Sequence, residues 1–226
     1  MCAKLYLTPT PIGNYEDITL RALRLLKESD FIICEEYKEA RRLLSHYGIT
    51  KELISMNEHN EKESVPELIT KIESANIVTI ISDCGTPLFS DPGKHLLEMC
   101  LQTKIEIIPL PGANSLITAL IGSGFSLDKF YFRGWLSPKK EIRSQELFQL
   151  KKVRGLIVLM DTPYRLIRLL EDVQRSFGND VYCVLAFELT GIRERFYRGN
   201  IRTILSEAQA ARLKGEFVLI IDNGME

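Results

Sequence analysis

The 226-residue chain has no apolar run near the roughly 20 residues that a membrane-crossing helix needs. Its five cysteines include no CxxC pair, and its three histidines, His46, His59 and His95, lie far apart, so zinc-ligand spacing is absent. The formal net charge is −1, which excludes a global basic field for nucleic acid and leaves any such contact to local patches. Neither GxGxxG nor the P-loop pattern GxxxxGKS/T occurs, so both common phosphate-gripping glycine loops are missing. The start, MCAKLYLTPTPIG, enters a strand-like segment without the charged opening and long apolar stretch of a signal peptide. Together with an odd number of scattered cysteines, these absences indicate a reduced, cytoplasmic protein with no membrane partner.

What is present is an ordinary globular composition, 45% hydrophobic, in a chain long enough for one large or two small domains. Cys34, Cys100 and Cys183 lie in apolar runs and read as small core residues. The first half alternates strands (4–8, 30–34, 52–55, 77–82 and 104–110) with helices at 17–29 and 38–48 and a third over 64–74. Ser64 and Glu67 form a capping box at that third start. Asp91 and Pro92 are suited to cap and open a helix running to residue 102, and Asn114 to cap the next. Alternation of this kind predicts a parallel sheet covered on both faces, with ligands beyond the carboxyl ends of its strands. The second half changes texture. Strand-like runs at 129–136, 155–160, 181–189, 193–200 and 215–223 surround one clear helix at 162–178, with a short helix at 204–213. The expected architecture is α/β, a parallel N-terminal sheet (1–113) and a mixed C-terminal sheet (114–226), with one continuous sheet as the alternative.

Three glycine- and proline-bearing loops follow strands of the first half: TPTPIGN (8–14), SDCGTPLFSDPG (82–93) and PLPGANS (109–115). A parallel sheet would gather them at one edge, where glycine admits close backbone approach and proline fixes the turn. The second loop contains no lysine.

In this order and at these separations, LYLTPTPIGNYEDITLRAL, SDCGTPLFSDPG, IIPLPGANSLITAL, FELT and KGEFVLII resemble the tetrapyrrole-methylase-fold methyltransferases. Within that family they are similar to the branch that 2′-O-methylates a cytidine ribose in 16S rRNA, and the similarity runs from Lys4 to about Asn223. The resemblance implies two α/β domains with S-adenosylmethionine in the cleft between them, a homodimer, and 16S rRNA or the small ribosomal subunit as partner. It further implies that Pro11, then Cys84, Gly85, Thr86, Pro87, Leu88 and Phe89, then Ser115 and Leu116 line the cofactor. The matching positions of the second domain are Asp161, Ala186, Phe187, Gly215 and Glu216. A sulfonium cation has no use for a lysine, which accounts for the composition of the second loop.

A ribose hydroxyl is a poor nucleophile, so a general base would help. Asp83, Glu35 and Glu61 are the candidates, each at an expected strand end or in the loop after it. Asp83 could equally hold its own turn, and the two glutamates could be solvated loop charges. RNA needs cations beside the site. Of the local basic clusters, Lys139, Lys140 and Arg143 in WLSPKKEIRSQE stand where the family carries a basic loop. The cofactor loops keep the family pattern, while substrate-side positions drift: Tyr37 replaces a threonine and Phe187 an arginine. A tetrapyrrole-like acceptor, another RNA, and a non-catalytic S-adenosylmethionine-binding protein therefore remain as alternatives.

Overall fold

The computed structural model describes residues 3–89 and 92–224. The chain divides into two compact units, Met1–Asn114 and Ser115–Glu226. Among the described residues the strands form two separate five-stranded sheets, one in each unit.

In the N-terminal unit, β1 (Lys4–Leu7), β2 (Phe31–Cys34), β3 (Leu53–Ser55), β4 (Ile77–Ile80) and β5 (Glu106–Pro109) lie in the order β3-β2-β4-β1-β5. Every pairing is parallel. These strands are dominated by apolar residues because helices cover both faces. Helices α1 (Leu20–Glu28) and α2 (Tyr37–His46) cover one face, packing Leu26, Ala40, Leu43 and Leu44 on Ile32, Cys34 and Ile81. Helices α3 (Glu61–Glu73) and α4 (Lys94–Gln102) cover the other, with Val65, Leu68, Ile72, Leu96 and Cys100 on Leu5, Ile33, Val78 and Ile80. Ile32 and Ile33, adjacent in sequence, thus serve opposite faces, as the period of a strand requires.

The C-terminal unit begins with α5 (Ser115–Ser123). Its strands are β6 (Phe130–Gly134), β7 (Gly155–Asp161), β8 (Tyr182–Phe187), β9 (Arg195–Asn200) and β10 (Phe217–Asn223), in the order β6-β7-β10-β8-β9. The β6–β7 pair is parallel and the other pairs antiparallel. Helices α6 (Lys140–Leu150), α7 (Leu166–Phe177) and α8 (Ile201–Ala210) share one core. Leu147, Leu166, Leu169 and Ile204 meet Ile157, Leu159, Leu185 and Leu219 there. Cys34, Cys100 and Cys183 are buried, as their apolar settings indicate.

Several local expectations change; α8, expected at 204–213, spans Ile201–Ala210. Helix α3 starts at Glu61 rather than at Ser64, because an Asn57–Asn60 turn already reverses the chain: Asn60 Oδ1 accepts from the Asn57 N–H at 2.8 Å. Ser64 lies inside the helix, and its hydroxyl donates back to the Asn60 carbonyl. Asp91, the expected cap of α4, lies outside the described residues; Gly93 precedes the helix, which starts at Lys94 and not at Pro92. The expected helix at 162–178 splits into a 3₁₀ turn, Pro163–Arg165, and α7. The stretch read as a basic loop is largely helix α6. Its inward row, Arg143, Leu147 and Leu150, has helical spacing, but an arginine at the first position disguised the apolar face.

Candidate functional site

Strands β4, β1 and β5 are neighbours, so the loops that leave their carboxyl ends are neighbours too. The described residues of those loops are stitched together. The Thr10 N–H donates to the Gly85 carbonyl at 2.9 Å. The Thr10 hydroxyl donates to the Ser82 carbonyl at 3.3 Å, and the Ser82 hydroxyl to the Gly85 carbonyl at 3.1 Å. The Thr86 hydroxyl donates to the Ala113 carbonyl at 3.0 Å and accepts from the Asn114 amide at 3.2 Å. Two glycines permit this. Gly85 holds φ +81°. A Cβ on Gly112 would come within 2.6 Å of the Pro9 ring, which cannot move aside. Leu88 adopts φ +66° without being glycine, a strain that tends to mark functional loops.

Of the expected cofactor residues in this unit, Gly85 and Pro87 are buried, Pro11, Thr86 and Leu88 half-buried, and Cys84 and Phe89 exposed. They belong to one loop cluster whose described residues include no lysine or arginine. That donor set, hydroxyls and carbonyls without cations, fits a sulfonium-bearing ligand and would serve a phosphate poorly. A feature that sequence reasoning missed adds to the fit. Thr8, at the end of β1, has a buried hydroxyl with no hydrogen-bond partner. Buried polar atoms are normally satisfied, so this one is available to a ligand or an ordered water.

The three candidate bases part ways. Asp83 Oδ1 accepts from the Glu36 N–H at 3.2 Å. Partial burial holds its carboxyl above the usual range; that N–H pulls it down, and the Glu36 and Glu39 carboxylates push it up. Glu35 lines a small hollow of about 10 Å³ with Cys34, Ser82, Pro87 and Leu88. Glu61 is not in a loop. It opens α3, and its Oε1 accepts from the N–H groups of His95 and Leu96 at 2.8 and 3.4 Å. It therefore caps α4, the helix that lacks a side-chain cap of its own. Its partners are 34 and 35 residues away, beyond any local signal.

In the C-terminal unit, register brings the expected positions to one end of the sheet. Phe217, the first residue of β10, pairs with Asp161 at the end of β7 and with Phe187 at the end of β8. Ala186 sits beside Val218, and Gly215 and Glu216 lead directly into β10. Ser115 and Leu116 open α5. Asp161 is 2% exposed. Its Oδ1 accepts from the Thr162 N–H at 2.8 Å and faces Arg165 Nη1 at 3.3 Å, while Oδ2 has no partner. Burial raises its carboxyl above the usual range, and Thr162, Arg165 and Arg143 only partly offset this. Glu216 is raised by burial and by the carboxylate of Glu188.

Glu188 is the residue that sequence reasoning missed here, although FELT contains it. It holds φ +49°, its Oε1 accepts from the Glu216 N–H at 2.7 Å, and its Oε2 pairs with Arg193 at 3.1 Å. Gly215 is small because Glu188 and Phe187 occupy the space a Cβ would need: Glu188 Oε1 would lie 2.0 Å away. Arg193, which pairs with Glu188, also lies over the Phe187 ring, its guanidinium 5.7 Å from the centroid.

The expected RNA patch needs a correction. Lys139 and Lys140 are exposed at the start of α6. Arg143 is 1% exposed and points inward. Its Nε pairs with Asp172 of α7 at 2.6 Å, and its Nη1 donates to the carbonyls of Ser137 and Pro138. A buried, paired guanidinium offers nothing to a polyanion. Among the described residues there is no group of histidine, cysteine, aspartate and glutamate able to hold a metal, and no helix long and apolar enough to cross a membrane.

Residues 4–205 match the family model for Tetrapyrrole (Corrin/Porphyrin) Methylases. The chain is 41% identical to Ribosomal RNA small subunit methyltransferase I of Synechocystis sp. over 217 residues, 96% of this chain and 78% of the relative. It is 38% identical to the Thermotoga maritima protein of the same name, over 96% of this chain and 97% of that one. Among solved structures, a cobalt precorrin-4 methyltransferase superposes with TM-score 0.73 at 15% identity, over 97% of this chain and 94% of that one. The uroporphyrin-III C-methyltransferase of Thermus thermophilus, complexed with S-adenosylhomocysteine, gives 0.67 at 16% over 97% of each. At such identities the structural likeness speaks for the fold.

Proposed function

We propose a methyl-transfer function on ribosomal RNA for this chain, which belongs to the tetrapyrrole (corrin/porphyrin) methylase family. The reading is a methyltransferase that uses S-adenosylmethionine and acts on the 2′-hydroxyl of a cytidine ribose in 16S rRNA. The observation that carries it is the direction of the sequence likeness: identities of 36–41% run to small-subunit ribosomal RNA methyltransferases, while tetrapyrrole enzymes share the fold at 15–18%. Cytoplasmic action and a homodimer go with it, the latter checked by light scattering.

S-adenosylmethionine supplies a methyl carbon on an already activated sulfur, so the protein's share of the work is placement. In the N-terminal unit, Thr10, Ser82, Thr86 and Asn114 lock three loops into one rigid rim free of competing cations. Among the described residues, the Thr8 hydroxyl in the N-terminal unit and, in the C-terminal unit, Asp161 Oδ2 and Arg143 Nη2 are buried polar atoms without a partner; the first two are each able to meet a polar group of a ligand. In this reading Asp83 is the proton acceptor. The Glu36 N–H orients it, and its raised affinity for protons makes it a stronger base than a solvated carboxylate. Transfer of label from methyl-labelled S-adenosylmethionine to 30S particles, naked 16S rRNA and a uroporphyrinogen-type acceptor, compared in parallel, tests the reading. Label in RNA is the expected result. Label in the tetrapyrrole, or in neither, would refute it.

A further inference from the structure

The solvent face of α2 carries a row of side chains for which methyl transfer has no use. Lys38, Arg41, Arg42 and Ser45 fall at helical positions i, i+3, i+4 and i+7, while Ala40, Leu43 and Leu44 turn inward and are buried. Past the helix, the chain turns at Gly48, φ +64°, and returns through Ile49, Thr50 and Lys51 toward β3. Helix end and returning segment enclose an open concavity of about 500 Å³. Arg41, Ser45, Thr50 and Lys51 line it, over Leu44 and Ile49.

Charge there is unbalanced. The acidic neighbours are largely occupied: Glu39 pairs with Arg42, Glu52 with Lys71, and Asp30 accepts from the N–H groups of Asn76 and Ile77, with Lys51 near enough to help hold its carboxyl below the usual range. Among the described residues, neither Arg41 nor Lys51 is in an ion pair. Arg41 is partly preorganised, because its guanidinium rests 5.5 Å from the centroid of Tyr37, whose hydroxyl accepts from the Ser55 N–H. Arg42 is held beside it by the Tyr15 hydroxyl, at 2.9 Å. Two cations and two hydroxyls around one hollow, with no exposed base-sized aromatic face on its lining, suit phosphate oxygens better than nucleobases.

We propose that this hollow grips backbone phosphates of the RNA substrate, which rests on the ribosomal RNA reading above. The ten-residue helix rises about 15 Å, and the hollow lies at the end of it away from Glu35 and Asp83. The contact is therefore remote from the reacting atoms. It strengthens binding equally before and during methyl transfer, so it acts on KM and leaves kcat alone.

The test is the double charge reversal Arg41→Glu/Lys51→Glu in the full chain. Arg41 is exposed and Lys51 half-buried, and thermal denaturation together with S-adenosylmethionine calorimetry verifies an intact fold. Binding is read by anisotropy with a labelled 16S rRNA fragment across a salt series, and kinetics with 30S particles. The expected result is affinity for naked RNA reduced at least 10-fold and a log–log salt slope shallower by about 1.4–1.8, the loss of two phosphate contacts. KM should rise with kcat unchanged. Unaltered affinity and slope would overturn the proposal. So would a loss confined to intact particles with naked RNA unaffected, which would assign the hollow to a protein partner. Wild-type protein that binds RNA through these cations yet methylates no RNA would refute the functional reading while leaving the phosphate grip standing.

Discussion

The N-terminal unit ends its central strands in loops without cations, stitched by hydroxyls and carbonyls. The C-terminal unit ends its own in carboxylates and guanidinium groups: Asp161 with Arg165, Glu188 with Arg193, and Arg143 with Asp172 beneath. The first arrangement is rigid because glycine lets backbones touch. In the second, only Arg143 and Asp172 are both buried and answer each other; Arg193 is largely exposed. The first leaves no room for an added methyl at Gly112; the second keeps one buried carboxylate oxygen, Asp161 Oδ2, without a partner.

The largest effect that would sharpen this contrast is at Asp172. Asp172→Asn leaves the buried Arg143 cation without its counter-charge and should cost about 3–5 kcal/mol in chemical denaturation. Replacing both partners with apolar residues of similar volume should recover most of it. A double variant as unstable as the single would show that the ion pair itself, and not the orphaned charge, holds α6 to α7.

Gly112→Ala is the matching blow to the other unit. The new Cβ meets a proline ring, so overpacking should cost about 1–3 kcal/mol, and calorimetric affinity for S-adenosylmethionine should drop about 10-fold. Unchanged affinity would separate loop stitching from donor binding.

Glu61 discriminates structure from chemistry. Loss of a cap costs about 1 kcal/mol, so Glu61→Ala should lower the melting temperature with the methylation rate retained. A rate loss of 100-fold at unchanged stability would make it a base after all.

The smallest effect has the opposite sign. Burial raises the Asp161 carboxyl in the folded chain, so the fold binds that proton more tightly than the unfolded state does. Its stability contribution is present at low pH and lost as pH rises through the raised value. Asp161→Asn should therefore stabilise the protein at pH 8, by up to about 1 kcal/mol. The gain should vanish near pH 4, while donor affinity falls at both. Melting curves at the two pH values decide it.

Much of the N-terminal unit was legible because parallel strands buried on both faces appear as largely apolar runs, such as Phe31–Cys34, separated by whole helices. The meeting of the three loops followed from the same logic. In the C-terminal unit, α6 was hidden by its own buried arginine, since periodicity counts Arg143 as solvent-facing. The role of Glu61 was illegible because the helix it caps begins more than thirty residues later. Thr8 and Asp161 could be named as residues, but an unsatisfied atom exists only once the surrounding chain has closed over it.

The most direct test of the account is nucleoside mass spectrometry of 16S rRNA after incubation of unmethylated 30S particles with the protein and S-adenosylmethionine. The account predicts one new 2′-O-methylcytidine, absent when the donor is omitted. Methyl groups found only on bases, or an RNA left unmodified while the protein binds the donor, would contradict it.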